Sequence, residues 1–173
     1  MSLLVIAYPE IEKSDFDWIQ KIRAKDDERY FNVVQPHFTL VFPVMDIEVN
    51  TFESHVKKIA KQFNEFYFVL RSAQIVKDSF SDYTDVFLVP EEGYRIFLRL
   101  HDLLYTGVLE NELRLDIPFI PHLGIANNLD PIKCRDLAEK LNSKGIEIVG
   151  KISTLSIVEY DFKPVRTIKE ISL

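Results

Sequence analysis

Two stretches of the sequence decide how this chain folds: Pro36-His37-Phe38-Thr39-Leu40-Val41-Phe42 and Phe119-Ile120-Pro121-His122-Leu123-Gly124-Ile125-Ala126. Both are rich in β-branched and aromatic residues, which favour extended structure. Each contains a histidine directly after a proline, and the two histidines are 85 positions apart. We therefore predict two strands of similar shape, over residues 36–42 and 119–126, each carrying one histidine.

The predicted elements around these strands come in the same order twice. Apolar runs predict further strands over residues 3–8, 66–76, 86–89, 152–160 and 165–171, and helical periodicity predicts the helices. Helices are expected to begin at Ser14, Asn50, Tyr94 and Asp130, and the last two to end near Gly107 and Gly145. This order predicts two β-α-β-α-β lobes related by a pseudo-two-fold axis, with the Pro-His strands close together. Similar spacings in an unrelated α+β protein are the alternative reading of the repeat.

Composition and charge exclude several classes of protein. With 173 residues, 47% of them hydrophobic, the chain has the material for one compact domain rather than a disordered or fibrous protein. Its net charge of −6 argues against a partner such as long duplex nucleic acid, which proteins hold by neutralising phosphates. No run reaches the length of a membrane span, so no membrane partner is expected. The lone Cys134 fits a reducing compartment, and we expect a cytoplasmic monomer.

The two histidines offer a chemistry that the rest of the sequence does not. Residues two apart in a strand share a face, so His37 and Thr39 are expected to face away from Phe38, Leu40 and Phe42. His122, Gly124 and Ala126 are likewise expected to share one face of the second strand. A neutral imidazole can accept a proton while a protonated one donates, which suits phosphodiester chemistry without a metal or another cofactor.

The paired motifs resemble the His-x-Thr/Ser motifs of the 2H phosphoesterase superfamily, which includes bacterial 2′-5′ RNA ligases and 2′,3′-cyclic phosphodiesterases. The segments 104–109 and 127–129 are most similar to the small stand-alone bacterial members. The resemblance implies an α+β fold with two mainly antiparallel sheets around a central groove. It also implies metal-independent action on a small nucleotide or RNA terminus with a 2′,3′-cyclic phosphate or 2′-5′ bond. His37 and His122 would be the acid–base pair and Thr39 a phosphate donor. Gly124 stands where the second motif has Thr or Ser.

Two other functions stay open at this point. The missing hydroxyl at Gly124 is compatible with a protein that binds nucleotides or RNA ends but turns them over poorly. A scaffold whose histidines only pack is the third possibility. His55 and His101 lack partners at metal-ligand spacing and are expected to be structural, and Asp26-Asp27-Glu28 is expected to be a solvated helix end. The aromatic residues available to stack on a base are Tyr30, Phe42, Phe80, Tyr83, Tyr160 and Phe162.

Overall fold

The computed structural model describes residues 2–161 and 164–173, so Phe162 lies outside the described residues. Its elements, in chain order, are strands β1 (Ser2–Ala7) and β2 (Glu10–Ile11), helix α1 (Lys13–Asp26), β3 (Phe38–Val44), α2 (Val49–Ala60), β4 (Phe66–Lys77), β5 (Thr84–Glu92), α3 (Tyr94–Leu104), a 3-10 helix (Gly107–Glu112), β6 (Leu123–Asn128), α4 (Pro131–Lys144), β7 (Ile148–Ile152), β8 (Thr154–Tyr160) and β9 (Arg166–Ser172). None of the helices in these ranges is long and apolar enough to cross a membrane.

The strands form two antiparallel sheets, which confirms the predicted α+β fold. One sheet has the order β3-β1-β8-β9 and the other the order β2-β7-β4-β5-β6. The last strand of each half crosses to the other sheet: β4 pairs with β5, and β8 pairs with β1. The two halves are therefore tied together by hydrogen bonds between strands. Each Pro-His strand, β3 or β6, lies at an edge of its sheet, next to the first strand of its own half.

Several boundaries differ from the prediction. The strand predicted over residues 36–42 begins at Phe38, and the one predicted over 119–126 begins at Leu123, so both histidines immediately precede their strands. The predicted strand 152–160 is divided between β7 and β8, which belong to different sheets. Ser14 does not cap α1, because Glu12 is the N-cap residue and its carbonyl accepts from Asp15 and Phe16. The Asp130-Pro131 start of α4 is confirmed, with the Asp130 carboxylate accepting from the Ile132 N–H.

The core between sheets and helices fixes the strand that follows His37. Phe38 is fully buried, and its ring stacks on Phe97 of α3 at 4.3 Å and meets Phe68 of β4 edge-on at 5.1 Å. Aromatic packing of this kind adds about 1 kcal/mol per pair to the free energy of burial. The neighbouring β7 is held close to β4, since a Cβ on Gly150 would lie 2.3 Å from the Phe68 ring. Packing thereby fixes the position of Phe38, and the fixed backbone sets the direction of the neighbouring His37 side chain.

A β-bulge changes which residues of β3 face the groove. In the register with β1, Ile6 pairs with Thr39 but Val5 pairs with Val41, so Leu40 is an extra residue. Leu40 and Val41 are both buried as a result, and Phe42 joins Thr39 in lining the groove. The strict alternation predicted for this strand is therefore wrong from Phe42 onward, because a bulge reverses the phase of the side chains beyond it.

Candidate active site

His37 and His122 line one groove between the two sheets. The groove has a volume of about 610 Å³, and both rings contribute to its wall together with Thr39 and Gly124. Both histidines are partly exposed rather than walled into the interior. The two Pro-His motifs, distant in sequence, thus meet at a single site, because β3 and β6 are corresponding strands of the two halves.

The two imidazoles are held in the same way. Nδ1 of His37 lies 2.8 Å from the carbonyl oxygen of Gln35, and Nδ1 of His122 lies 2.5 Å from that of Ile120. A carbonyl oxygen can only accept, so each Nδ1 is the donor and carries the proton of the neutral ring. The lone pair is then on Nε2 in both rings. Each motif therefore presents an Nε2 atom that can accept or, when protonated, donate a proton.

Aromatic neighbours support both rings. The ring of Phe87 on β5 stacks on His122 with centroids 3.5 Å apart and planes 12° from parallel. Tyr8, just after β1, meets His37 edge-on at 6.5 Å. The stacked phenyl ring removes water from one whole face of His122. Sequence reasoning missed Phe87, because nothing in the spacing of β5 distinguishes a groove aromatic from a core one.

Burial lowers the pKa of both histidines. Loss of hydration in the groove lowers the pKa of His37 and that of His122 to about 4, although each backbone carbonyl acts in the opposite direction. A charge on His37 lowers the pKa of His122 further. Both imidazoles are consequently neutral in the empty groove near pH 7.

A buried ion pair connects the segment that leads to His37 with the end of the strand that follows His122. Arg23 of α1 is 2% exposed, and its Nε donates to Asp27 at 2.9 Å. The other Asp27 oxygen accepts from Nδ2 of Asn127, at the end of β6, at 2.6 Å. Arg23 also donates to the carbonyls of Tyr30 and Val34, which hold the segment leading to His37. The expectation of a solvated acidic run is thus wrong at Asp27, because this carboxylate is the buried partner of Arg23.

Comparison with known proteins identifies the family. A model of the 2′-5′ RNA ligase superfamily matches residues 9–163. The chain belongs to this superfamily. It is 24% identical over 143 residues to a Bacillus licheniformis protein named "Putative phosphoesterase", covering 81% of this chain and 79% of the relative. A Staphylococcus haemolyticus protein with the same description is 26% identical over 151 residues, covering 86% and 85%.

Solved structures share the fold of this 2′-5′ RNA ligase superfamily member. Escherichia coli LigT complexed with 3′-AMP superposes with a TM-score of 0.58 at 16% identity, over 99% of this chain and 97% of that one. Kluyveromyces marxianus Usb1 gives a TM-score of 0.59 at 10% identity, over 99% and 98%. At these identities the likeness concerns the arrangement of strands and helices. It confirms two antiparallel sheets around a central groove.

The two superfamily motifs differ in the residue two positions after each histidine. Thr39 faces the groove, and its hydroxyl makes no hydrogen bond to any of the described residues. Gly124 pairs with Phe87 across β5 and β6, and it also lines the groove. A Cβ built on Gly124 meets no heavy atom within 4 Å. The glycine is therefore not required by packing, and space for a side chain is present where the hydroxyl is missing.

The other two histidines do not line the groove, and both are buried and bonded to backbone carbonyls. His55 bonds through Nε2 to the carbonyl of Leu104 at 2.8 Å, away from the groove. His101 bonds through Nδ1 to the carbonyl of Leu40 at 2.9 Å and stacks on Phe119 at 3.6 Å. His101 thereby contacts both Pro-His segments, on β3 and ahead of β6. It holds the two motifs in position from behind without entering the groove.

Proposed function

We propose that the protein is a phosphoesterase that acts on a 2′,3′-cyclic phosphate or a 2′-5′ phosphodiester of a small nucleotide or RNA end. The observation that carries this proposal is the matched pair of imidazoles in one groove, each with Nδ1 bound to a carbonyl and Nε2 without a hydrogen bond to the described residues. Two groups of the same kind, related by the two halves of the fold, suit a reaction that needs one base and one acid.

The proposed hydrolysis uses the two Nε2 atoms in opposite protonation states. The neutral imidazole takes a proton from a water molecule as the water oxygen attacks phosphorus. The protonated imidazole gives its proton to the ribose oxygen as the bond from that oxygen to phosphorus breaks. The product is a phosphomonoester with a free hydroxyl, and the two histidines end with their proton states exchanged. Which of His37 and His122 acts as base depends on the orientation of the substrate.

Charge on the non-bridging phosphate oxygens needs hydrogen-bond donors. The Thr39 hydroxyl is available for this role, since it is exposed to the groove and has no other partner among the described residues. On the opposite side, Gly124 offers no hydroxyl. A missing donor of this type lowers enzyme rates by about 10² to 10³. This observation favours a second candidate, a protein that binds the same ligands in the same groove and turns them over slowly.

Single replacements separate these candidates. We expect His37→Ala and His122→Ala each to abolish hydrolysis of 2′,3′-cyclic nucleotides, while His55→Gln, which removes an imidazole outside the groove, retains it. A chelator is expected to leave the rate unchanged. Isothermal titration with cyclic and linear 2′-phosphorylated nucleotides runs beside the assay. Tight binding without product would favour the binding protein, and turnover that survives loss of either groove histidine would exclude the acid–base pair.

A further inference from the structure

Asp85 on β5 is a groove residue whose carboxylate is left without a donor. It lines the same groove as the two histidines and is half-buried. No side chain or backbone N–H of the described residues donates a hydrogen bond to it. Burial raises its pKa to about 6; the neighbouring Asp78 and Asp27 add to the effect of lost hydration, while Arg29 and Lys77 oppose it. The proposed reaction gives this carboxylate no role.

The cations near Asp85 are engaged elsewhere. Arg29 donates to the Asp78 carboxylate at 2.6 Å and to Ser81, and Lys77 pairs with Asp82 at 3.7 Å. Across the strand pair, Asp85 is opposite Asn127, whose Oδ1 is buried and has no hydrogen-bond partner in the described parts of the chain. This end of the groove is therefore rich in acceptors, and a ligand that fills it is expected to bring hydrogen-bond donors.

The spacing along β5 relates this end of the groove to the reacting phosphate. Phe87, which stacks on His122, and Asp85 are two residues apart and face the same side. Two strand residues span about 7 Å. A nucleotide whose phosphate lies between the histidines therefore has its base, one ribose away, in reach of the Asp85 carboxylate.

We propose that Asp85 recognises a guanine base, by accepting the N1–H and one N2–H of its Watson–Crick edge through the two carboxylate oxygens. The inference rests on the proposed nucleotide phosphoesterase and names its preferred substrate class, a guanosine 2′,3′-cyclic phosphate or an RNA end with a terminal guanosine. Adenine and cytosine present one amino group beside a ring nitrogen lone pair, which repels a carboxylate. Uracil presents one N–H between two carbonyls. Guanine alone has two adjacent donors on that edge.

Titration calorimetry with a series of 2′,3′-cyclic nucleotides tests this recognition without depending on turnover. We expect the guanosine compound to bind at least about tenfold more tightly than the adenosine, cytidine and uridine compounds. The inosine compound, which lacks only the N2 amino group, is expected to lose about tenfold. Asp85→Asn keeps the shape but replaces one acceptor by a donor, so the preference for guanosine should disappear. Asp136→Asn removes the same charge from an exposed side chain of α4 that does not line the groove, and should leave the preference unchanged.

The outcomes distinguish this inference from the proposed function. A guanosine preference that Asp85→Asn abolishes supports the inference even where no cyclic nucleotide is hydrolysed. Equal affinity for all four bases, or a preference that persists in Asp85→Asn, overturns the inference. In that case, hydrolysis that depends on His37 and His122 would still support the proposed phosphoesterase. Asp85→Ala provides a second measurement, since it removes both acceptors and should flatten the series in the same way.

Discussion

The low pKa of both groove histidines predicts an unusual pH dependence. The proposed reaction needs one neutral and one protonated imidazole, and in the empty groove both titrate at about 4. The correctly protonated fraction is then largest near pH 4 and falls about tenfold per pH unit above pH 5. We therefore expect kcat/KM, which reports the free enzyme, to decrease about a hundredfold between pH 5 and pH 7.

The pH profile of kcat should differ from that of kcat/KM. A bound phosphodiester places a negative charge beside the rings, and that charge favours the imidazolium form. Binding thus raises the pKa of the imidazole that acts as the acid. The decrease of kcat with rising pH should therefore begin at a higher pH than the decrease of kcat/KM. Initial rates with a 2′,3′-cyclic nucleotide from pH 4 to pH 8, at constant ionic strength, give both profiles.

Folding must be monitored in the same experiment. Each histidine has a folded pKa lowered from 6.5 to about 4, so its neutral form stabilises the fold fully above pH 6.5 and this stabilisation is lost as the pH falls towards 4. Circular dichroism at each pH separates unfolding from titration of the site. A kcat/KM that stays flat between pH 5 and pH 7, with the protein folded throughout, would refute the lowered pKa of both rings in the free protein.

Four further outcomes are expected. Gly124→Ser, which fits the open space beside the glycine, should raise kcat for a cyclic nucleotide by about tenfold or more, and an unchanged rate would show that a hydroxyl there is not limiting. Phe80→Ala, which removes a largely exposed groove aromatic, should weaken nucleotide binding by about 1 kcal/mol in titration calorimetry and leave kcat unchanged. Asp85→Asn should raise the free energy of unfolding at pH 7, measured by urea denaturation, by about 1 to 3 kcal/mol, because burial disfavours the charged form of Asp85. This gain in stability should vanish near pH 4, where the carboxyl group is protonated in the folded protein. The loss of stability between pH 6.5 and pH 4 should be smaller in His37→Gln and in His122→Gln than in the unmodified chain, again measured in urea.

The sequence predicts the motifs better than the side chains that support them. The Pro-His segments are recognisable because the same short pattern occurs twice, in corresponding places of a repeated order of elements. Their position just ahead of the strands is not predictable from that pattern, since a proline before a histidine is compatible with either place. The exchange of β4 and β8 between the halves is also invisible in the spacing, because pairing partners far apart in sequence leave no local periodicity.

The supporting residues were missed for separate physical reasons. Arg23 and Asp27 have the i,i+4 spacing that is common in exposed ion pairs, and the packing of α1 against β6 buries them. Phe87 and Asp85 alternate with core residues along β5, so the pattern identifies two faces without indicating which one borders a groove. The alternation of side chains between the two faces of β3 reverses at Leu40 because of a bulge, which no residue type in that strand predicts.

The charges of the groove bear on how the acid of the proposed reaction arises. Each of the three described lysines and arginines that line it is paired with an aspartate: Arg23 with Asp27, Lys77 with Asp82 and Arg114 with Asp116. The described residues therefore give the groove little uncompensated positive charge while its histidines are neutral. A ligand with one negative charge, such as a cyclic phosphate, is then best neutralised by taking up a proton on one imidazole. Binding of the substrate would create the acid that the reaction uses, and a linear phosphate dianion should raise the histidine pKa values further than the cyclic monoanion does.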